Sequence, residues 1–305
     1  LRIGGPVSYK GIPADYPWIG TGRTEAAVSD LALAIRLMWM TAARGHAGLL
    51  PHPFLHSPLL TIMNKLHIPP LDEQAAKTAL EHQKILAKPP LALGKLEPVA
   101  IQIAAMTGNP APRLKDKAVV LFAADHHIAD HGLSLTSTDV TYIQTRNFLQ
   151  GGGTINAFTR NAGARLSVVD VGVNYDFGDL PGLVKRKVMH GANDFSRGPA
   201  MTREQALECL QVGIDMAREE KARGLDIVAA GEMGIGNTTP SSAIVAVLTG
   251  TPVETVTGRG SGVKGEVIRK KIELIEHGNR PEQPRPFRRH RRAGEGRRPE
   301  IGAMA

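Results

Sequence analysis

The chain has 305 residues, 42% of them hydrophobic and 22% charged, the balance of a soluble globular protein with one large domain or two ordinary ones. Its single cysteine excludes a disulfide scaffold or a zinc ribbon and points to a reducing, cytoplasmic setting, while Leu31–Met40, broken by Arg36, is too short an apolar run to cross a membrane. The formal charge of +8 is concentrated in residues 280–298, with eight Arg against two Glu; residues 63–279 hold 24 basic and 23 acidic residues, so no nucleic-acid-binding surface is expected on the fold.

Residues 1–62 mix Gly, Pro, Trp and His without a helical or strand period and are expected to form a poorly ordered extension. From Met63 the texture changes. Asp72, after Pro69-Pro70, caps a predicted helix running to about Ala87, which Lys88-Pro89-Pro90 ends; Leu96 to Met106 predicts a second helix. Strands and helices then alternate. Lys117–Ala124 (KAVVLFAA) reads as a buried strand, and Thr138–Leu149 as a helix stopped by Gly151-Gly152-Gly153. Ile155–Ala162 is a short helix, Leu166–Val173 a second strand, and Thr202–Arg223 a long helix in which Cys209 is expected only to pack. Asp226–Ala230 is a third strand, and Pro240 opens a helix to about Leu248 from a first-turn position that suits proline. Short apolar strands between helices imply an α/β fold, a parallel sheet covered on both faces. Residues 280–305 have no apolar period and are expected to form an Arg-rich tail outside a 63–279 core.

The strongest chemical feature is Gly231-Glu232-Met233-Gly234-Ile235-Gly236-Asn237-Thr238-Thr239, a Gly-rich turn between a strand and a helix start. Glycines let the backbone approach an anion, Asn237, Thr238 and Thr239 offer donors, and the helix N-terminus adds partial positive charge. Glu232 is a candidate for holding a hydroxyl or a cationic ring. The pattern is neither a Walker A loop nor a full dinucleotide fingerprint, and a structural turn with an Asn-Thr cap is the plain alternative. A second loop, Gly258-Arg259-Gly260-Ser261-Gly262, precedes a helix carrying Lys270 and Lys271; a phosphate-neutralising role and a solvated linker stand level for it. Asp125, His126, His127, Asp130 and His131 invite a metal reading, because Asp125-His126-His127 at a strand end is similar to the signature of metal-dependent DHH phosphoesterases; that reading needs further Asp clusters, for which Asp170 is the only candidate. Loop histidines and acids are more often solvated than metal-ligating, so no metal site is expected.

Five segments then occur in one order: Lys88-Pro89-Pro90 with Leu93-Gly94-Lys95-Leu96-Glu97, Ala124-Asp125-His126, Val169 to Val173, Gly198-Pro199-Ala200-Met201-Thr202, and the Gly231 to Thr239 block. Over about residues 66–278 the chain resembles the nicotinate-nucleotide:dimethylbenzimidazole phosphoribosyltransferase family of cobalamin biosynthesis. The resemblance implies a cytoplasmic homodimeric pentosyltransferase. Its fold would be a three-layer, parallel, Rossmann-like sheet with helices on both faces and a smaller helical domain built from both chain ends. It would transfer the phosphoribosyl group of nicotinate mononucleotide to dimethylbenzimidazole, giving α-ribazole phosphate and nicotinate, without metal or organic cofactor. By resemblance, Glu232, Gly234, Ile235, Gly236, Asn237, Thr238 and Lys271 hold the phosphate and ribose, Glu232 also serves the chemistry, and Thr136 and Gln144 line the benzimidazole pocket.

Departures from the family pattern carry expectations of their own. Leu91-Ala92 stand where the family has Gly-Ser, which makes the turn after Pro90 a point of difference. His127 stands where the family has Gly, which predicts a positive φ at a residue with a Cβ. Residues 280–299 diverge while Glu300–Ala305 return to the pattern, as two compensating frameshifts would leave them. The family's Arg-Leu-Gly-Glu-Gly segment, whose Glu is its general base, has no counterpart, since Gly294-Glu295-Gly296 lies in the divergent stretch. Nucleotide binding with near-background transfer is therefore the expectation for this chain.

Overall fold

The computed structural model describes residues 69–279 together with two strands, β1 (Ile3–Tyr9) and β2 (Ile12–Ile19). These pair antiparallel from Ile3↔Ile19 to Tyr9↔Ile12. The hairpin escaped the sequence reading because Gly4, Gly5 and Pro6 in one strand and Pro13 and Pro17 in the other suppress a strand signal. The remaining expectations for 1–62, and those for 280–305, lie outside the described residues. The chain divides into two compact units, residues 50–117 and residues 1–49 with 118–305.

In the smaller unit, α1 (Glu73–Ile85) starts where predicted: Asp72 Oδ1 accepts from Ala75 N–H at 2.8 Å. Asp72 N–H also donates to Ala105 O at 2.9 Å, joining the start of α1 to the end of α2 (Leu96–Thr107). The segment between them is held by Glu97. Its Oε1 accepts from Lys88 Nζ at 2.7 Å and from Leu93 N–H at 3.2 Å, so the two halves of the Lys-Pro-Pro…Leu-Glu motif are one ion-paired unit. The Lys88 hydrogen bond, then that of Leu93, holds the Glu97 carboxyl below its ordinary pKa. A depressed carboxylate stabilises the fold above its unfolded pKa, and that contribution is lost as pH falls through the folded value.

Leu91, in the family's Gly position, has φ +62°, the one positive φ of a non-glycine residue among the described residues. The turn has thus kept the backbone of a glycine while carrying a Cβ, which costs about 1–2 kcal/mol. Its side chain is 76% exposed and repays little of this by burial. Leu91→Gly is therefore expected to raise stability by about 1 kcal/mol after glycine's greater unfolded-state entropy is deducted. A thermal or urea midpoint at or below that of the parent would show that the turn is unstrained.

The larger unit is built on a four-stranded parallel sheet in the order β5-β4-β3-β6: β3 (Lys117–Ala124), β4 (Ala164–Gly172), β5 (Leu183–Lys185) and β6 (Ile227–Met233). Alternate residues of the two central strands face opposite layers. Val120, Phe122 and Ala124 of β3, with Val169 and Val171 of β4, pack on Val212 and Met216 of α5 (Arg203–Ala222). Leu121, Ala123 and Val168 face the other way, towards Tyr142 and Phe148 of α3 (Asp139–Leu149) and Ile155 of α4 (Thr154–Ala162). This is the predicted three-layer α/β arrangement. The long helix begins with a reciprocal box: Thr202 Oγ1 accepts from Gln205 N–H at 3.2 Å, and Gln205 Oε1 from Thr202 N–H at 2.8 Å. Cys209 is buried in it, as expected. Strand β6 forms one sheet edge and leaves Ile227 and Val228 exposed.

Two short elements were not predicted, and two boundaries at the Gly-rich turn differ from prediction. Strand β5 and the short helix α7 (Val253–Val256) are too brief to show a period. Strand β6 runs on to Met233, so Gly231 and Glu232 belong to the strand. The next helix, α6 (Thr238–Thr249), starts before Pro240, which still lies in the first turn, where no intrahelical N–H bond is needed. The last helix of the described residues is α8 (Glu266–Asn279), whose Ile275 joins Ala243 of α6 in a buried cluster. Among the described residues no helix is long and apolar enough to cross a membrane.

Candidate functional site

Chain order determines where a site forms. Strand β3 is followed by β4 and β5 on one side, then by β6 on the other, so the sheet reverses direction of growth between β3 and β6. Loops leaving the carboxyl ends of two such strands splay apart and open a crevice. A cleft of about 220 Å³ lies at this point, lined by Leu133 and Ser134 after β3, by Glu232 to Thr238 after β6, and by Ser261 and Lys271.

The Gly-rich segment is held tightly. Asn237 N–H donates to Gly234 O at 3.2 Å, Thr239 N–H to Gly236 O at 3.0 Å, and Ile235 N–H to Thr141 Oγ1 at 3.0 Å. The N–H groups of Gly236 and Thr238 take no part in these bonds. Asn237 does not cap α6 with its side chain; its Nδ2 instead donates to Glu232 Oε2, which keeps the carboxylate at the exposed edge of the cleft. Thr239 N–H is taken by Gly236 O and Pro240 has no N–H, so the Thr238 N–H and the positive end of the α6 dipole are what this terminus offers an anion.

Lys271 comes from thirty-odd residues downstream, and helical spacing explains its position. Ile275, one turn later on the same face of α8, packs in the cluster with Ala243 of α6, which carries Lys271 to the N-terminal end of α6. Lys271 is only 2% exposed, and its Nζ donates to Thr238 Oγ1 at 3.1 Å. Burial pushes its pKa below the ordinary lysine value. No carboxylate among the described residues forms an ion pair with it. A buried ammonium served by one hydroxyl is electrostatically incomplete, and an anionic oxygen is the group that completes it. The second Gly loop lies against this pair: a Cβ on Gly260 would stand 2.7 Å from Thr238 Oγ1 and 3.1 Å from Lys271 Nζ.

Beneath the loop lies the Asp125-His126-His127 run. In extended chain, successive side chains point to opposite sides. His126 is buried under the Gly-rich segment, where a Cβ on Gly234 would meet its Nε2 at 3.0 Å; Asp125 and His127 both face Gly191. Asp125 Oδ2 accepts from Asn174 N–H at 2.8 Å. Burial pushes the Asp125 carboxyl above its ordinary pKa, opposed by the Asn174 bond and the Thr141 hydroxyl. His127 Nδ1 pairs with Asp130 at 3.1 Å, and His131 Nε2 with Asp194 at 2.8 Å. The five residues therefore do not converge on one point, and the described residues contain no cluster of three or more His, Cys, Asp or Glu that would hold a metal. The phosphoesterase reading gains no support.

The positive φ expected at His127 is also absent. Asp125 O accepts from Ala192 N–H at 2.8 Å and His127 N–H donates to Ala192 O at 2.9 Å, which holds His126 extended, and His127 opens a right-handed 3₁₀ turn (His127–His131) that a residue with a Cβ adopts without strain. The family's glycine is not needed for that conformation.

Of the predicted site residues, the structure brings Glu232, Gly234, Ile235, Gly236, Asn237, Thr238 and Lys271 to one cleft. Thr136 and Gln144 are not among the residues lining it. Thr136 is exposed but tied to the cleft wall, its N–H and hydroxyl each 3.4 Å from Ser134 Oγ. Gln144 Oε1 accepts from Asn147 Nδ2 on α3. Sequence reasoning missed Leu133 and Ser134 as lining residues, while Met233 and Ser261 lie in the two Gly-rich loops it had singled out. Ser134 and Ser261, with hydroxyls 3.2 Å apart, are 127 positions apart in the chain, and no local pattern marks their contact.

The phosphoribosyltransferase family model DBI_PRT matches residues 68–304. The chain belongs to this phosphoribosyltransferase family. Among its relatives, the nicotinate-nucleotide–dimethylbenzimidazole phosphoribosyltransferase of Geobacter sulfurreducens is 48% identical over 217 residues, 71% of this chain and 62% of the relative. The protein of the same name from Chloroflexus aggregans is 47% identical over 220 residues, 72% of this chain and 62% of the relative. The crystal structure of CobT from Thermus thermophilus superposes with a TM-score of 0.69 at 40% identity, covering 75% of this chain and 69% of the other. The chain thus spans about 62% of the length of the curated relatives it matches.

Proposed function

We propose that the cleft binds nicotinate mononucleotide by its phosphate and ribose, and that the protein serves transfer of the phosphoribosyl group to dimethylbenzimidazole, giving α-ribazole phosphate and nicotinate. The observation that carries this reading is the convergence on one cleft of the uncapped N-terminus of α6 and Lys271, buried with no carboxylate partner among the described residues. Both supply positive potential where water is scarce, which suits a phosphate dianion. At about 220 Å³ the cleft is smaller than the roughly 300–1,000 Å³ that takes a whole drug-sized ligand, so it accommodates the phosphoribosyl end. The azole is assigned beyond it. The link from Thr136 through Ser134 to the cleft wall supports Thr136 in that role, and Gln144 rests on the family resemblance.

In the reaction, a benzimidazole nitrogen attacks the anomeric carbon. The bond to nicotinate breaks with its electron pair returning to the pyridine nitrogen, and the azole's other nitrogen gives up its proton to solvent water. Positive charge builds on the ribosyl group between bond breaking and bond making. Glu232, held by Asn237, supplies a fixed negative charge towards it, an interaction stronger in the transition state than in the ground state. Nicotinate release from nicotinate mononucleotide in the presence of dimethylbenzimidazole tests the reading. Measured in a version of the chain extended through the family's Arg-Leu-Gly-Glu-Gly segment, Glu232→Gln is expected to lower kcat by about 10²–10³ with a small change in KM for the nucleotide. Unchanged turnover would remove Glu232 from the chemistry, and a parent chain that binds no nucleotide would sink the whole reading.

A cytoplasmic homodimer completes this reading. Ile143 of α3 and Phe158 of α4 are large apolar side chains exposed on helices of one sheet face, which supports a second copy as their cover.

A further inference from the structure

Ile235 is the middle of the Gly-rich segment, and its N–H points away from the cleft. The acceptor is Thr141 Oγ1 at 3.0 Å, on α3, 94 positions earlier in the chain. Thr141 is fully buried, so its hydroxyl has no water to turn to. With a lone pair engaged by Ile235, the hydroxyl still has one hydrogen to donate. The Asp125 carboxylate, itself buried, stands beside it. One carboxylate oxygen, Oδ2, takes the Asn174 N–H, while Oδ1 is buried without a hydrogen-bond partner. A buried carboxylate oxygen and a buried hydroxyl hydrogen, side by side and each lacking another outlet, belong together.

We propose that Asp125 and Thr141 are positioning residues, forming a carboxylate–hydroxyl–amide relay that pins Ile235 to the sheet and so aims the flanking Gly236 and Thr238 N–H groups into the cleft. Neither residue reaches the ligand. The negative end of the relay polarises the hydroxyl and strengthens its hold on the amide, as linked hydrogen bonds do in low dielectric. The anchor also explains a conflict within the loop. Glycines at 234 and 236 leave the backbone many conformations, and a phosphate site needs one. Pinning the residue between them supplies that restriction without filling the space the ligand needs.

The consequence for affinity rests on the phosphate-site reading above, but the relay has a readout independent of any ligand. Thr141→Val keeps the side chain's shape and removes both hydrogen bonds; Thr141→Ser keeps the hydroxyl; Asp125→Asn keeps Thr141 and replaces the carboxylate charge. Amide hydrogen exchange of the unliganded full chain would be followed at residues 233–236 and, as a reference for global opening, at β3 and β4. Thr141→Val is expected to speed exchange at Ile235 at least tenfold relative to that reference. Asp125→Asn should do so several-fold, and Thr141→Ser should stay near the parent. In calorimetry, the Kd for nicotinate mononucleotide is expected to rise about tenfold in Thr141→Val and to recover in Thr141→Ser. Exchange at Ile235 that follows the strands in both Thr141→Val and Asp125→Asn would overturn the relay, as would Thr141→Ser behaving like valine. Should Thr141→Val fail to fold, Asp125→Asn against Thr141→Ser makes the same comparison. A parent protein that binds no nucleotide, yet shows the exchange pattern, would overturn the substrate reading and leave the relay standing.

Discussion

Replacing Lys271 by methionine is expected to weaken nicotinate mononucleotide binding by one to two orders of magnitude and, at the same time, to stabilise the unliganded protein. A hydrogen bond between a charged donor and a phosphate oxygen contributes about 1.5–3 kcal/mol, which is roughly 10- to 150-fold in affinity. Methionine fills similar space without the charge. Lys271 lies buried with Thr238 Oγ1 as its hydrogen-bond acceptor, and burial lowers its pKa below the unfolded value. For a cation whose folded pKa is depressed, the sign is unfavourable. The penalty is fully present below the folded pKa and fades as pH rises towards the unfolded one. The stability gain in Lys271→Met should therefore be largest below the lowered Lys271 pKa and shrink as pH rises above it. Bound phosphate reverses the balance by favouring the ammonium, so affinity in the parent should fall as pH rises through the lowered Lys271 pKa. Urea denaturation at several pH values, beside calorimetric titration with the nucleotide, measures both. A variant that loses stability while keeping its affinity would mean that Lys271 holds the fold together rather than the ligand.

Gly236→Ala and Gly234→Ala form the second large effect, and space and backbone set their magnitudes. Gly236 has φ +82°, and an added Cβ would lie 2.6 Å from the Ala129 Cβ and 3.3 Å from its Cα. Strain of about 1–2 kcal/mol from the left-handed backbone and about 1–3 kcal/mol from overpacking give a loss of about 3 kcal/mol. At Gly234 the obstacle is the Ala124 carbonyl oxygen, 2.4 Å from the new Cβ, with the buried His126 ring behind it. Strand β3 cannot shift without disturbing the centre of the sheet, so about 1–3 kcal/mol is expected there. Gly258→Ala is the control, since nothing lies within 4 Å of its Cβ direction and its φ is not left-handed. Its stability should stay within about 0.5 kcal/mol of the parent. Denaturation midpoints for the three variants rank the contacts directly. A Gly258→Ala protein as damaged as Gly236→Ala would mean that the loops are held by something other than these approaches.

Lys271 illustrates how far the sequence could be read. A lysine following a Gly loop suggested anion binding, but equally a solvated helix face. What separates these readings is the burial of Ile275 in the cluster with Ala243, a contact between two helices that no local period encodes. The Asp125-His126-His127 run shows the reverse, because strand alternation alone sends His126 to the side opposite its neighbours. That rule was available from the sequence and argues against a shared metal.

The amino-acid order by itself determined the succession of strands and helices, the cap at Asp72, the reciprocal box at Thr202 and the place of the Gly-rich turn. Each of these is set by residues within about one helical turn of one another, where periodicity and side-chain capping operate. Tertiary structure alone decided the rest: the left-handed backbone at Leu91, the Ser134–Ser261 contact, the seat of Lys271 and the hold of Thr141 on Ile235. The last three join segments 33 to 127 positions apart. Hydrophobic patterning states which face of an element is buried, but not which other face it meets. That choice follows from the order in which the strands add to the sheet, and it is this order that opens a cleft between β3 and β6.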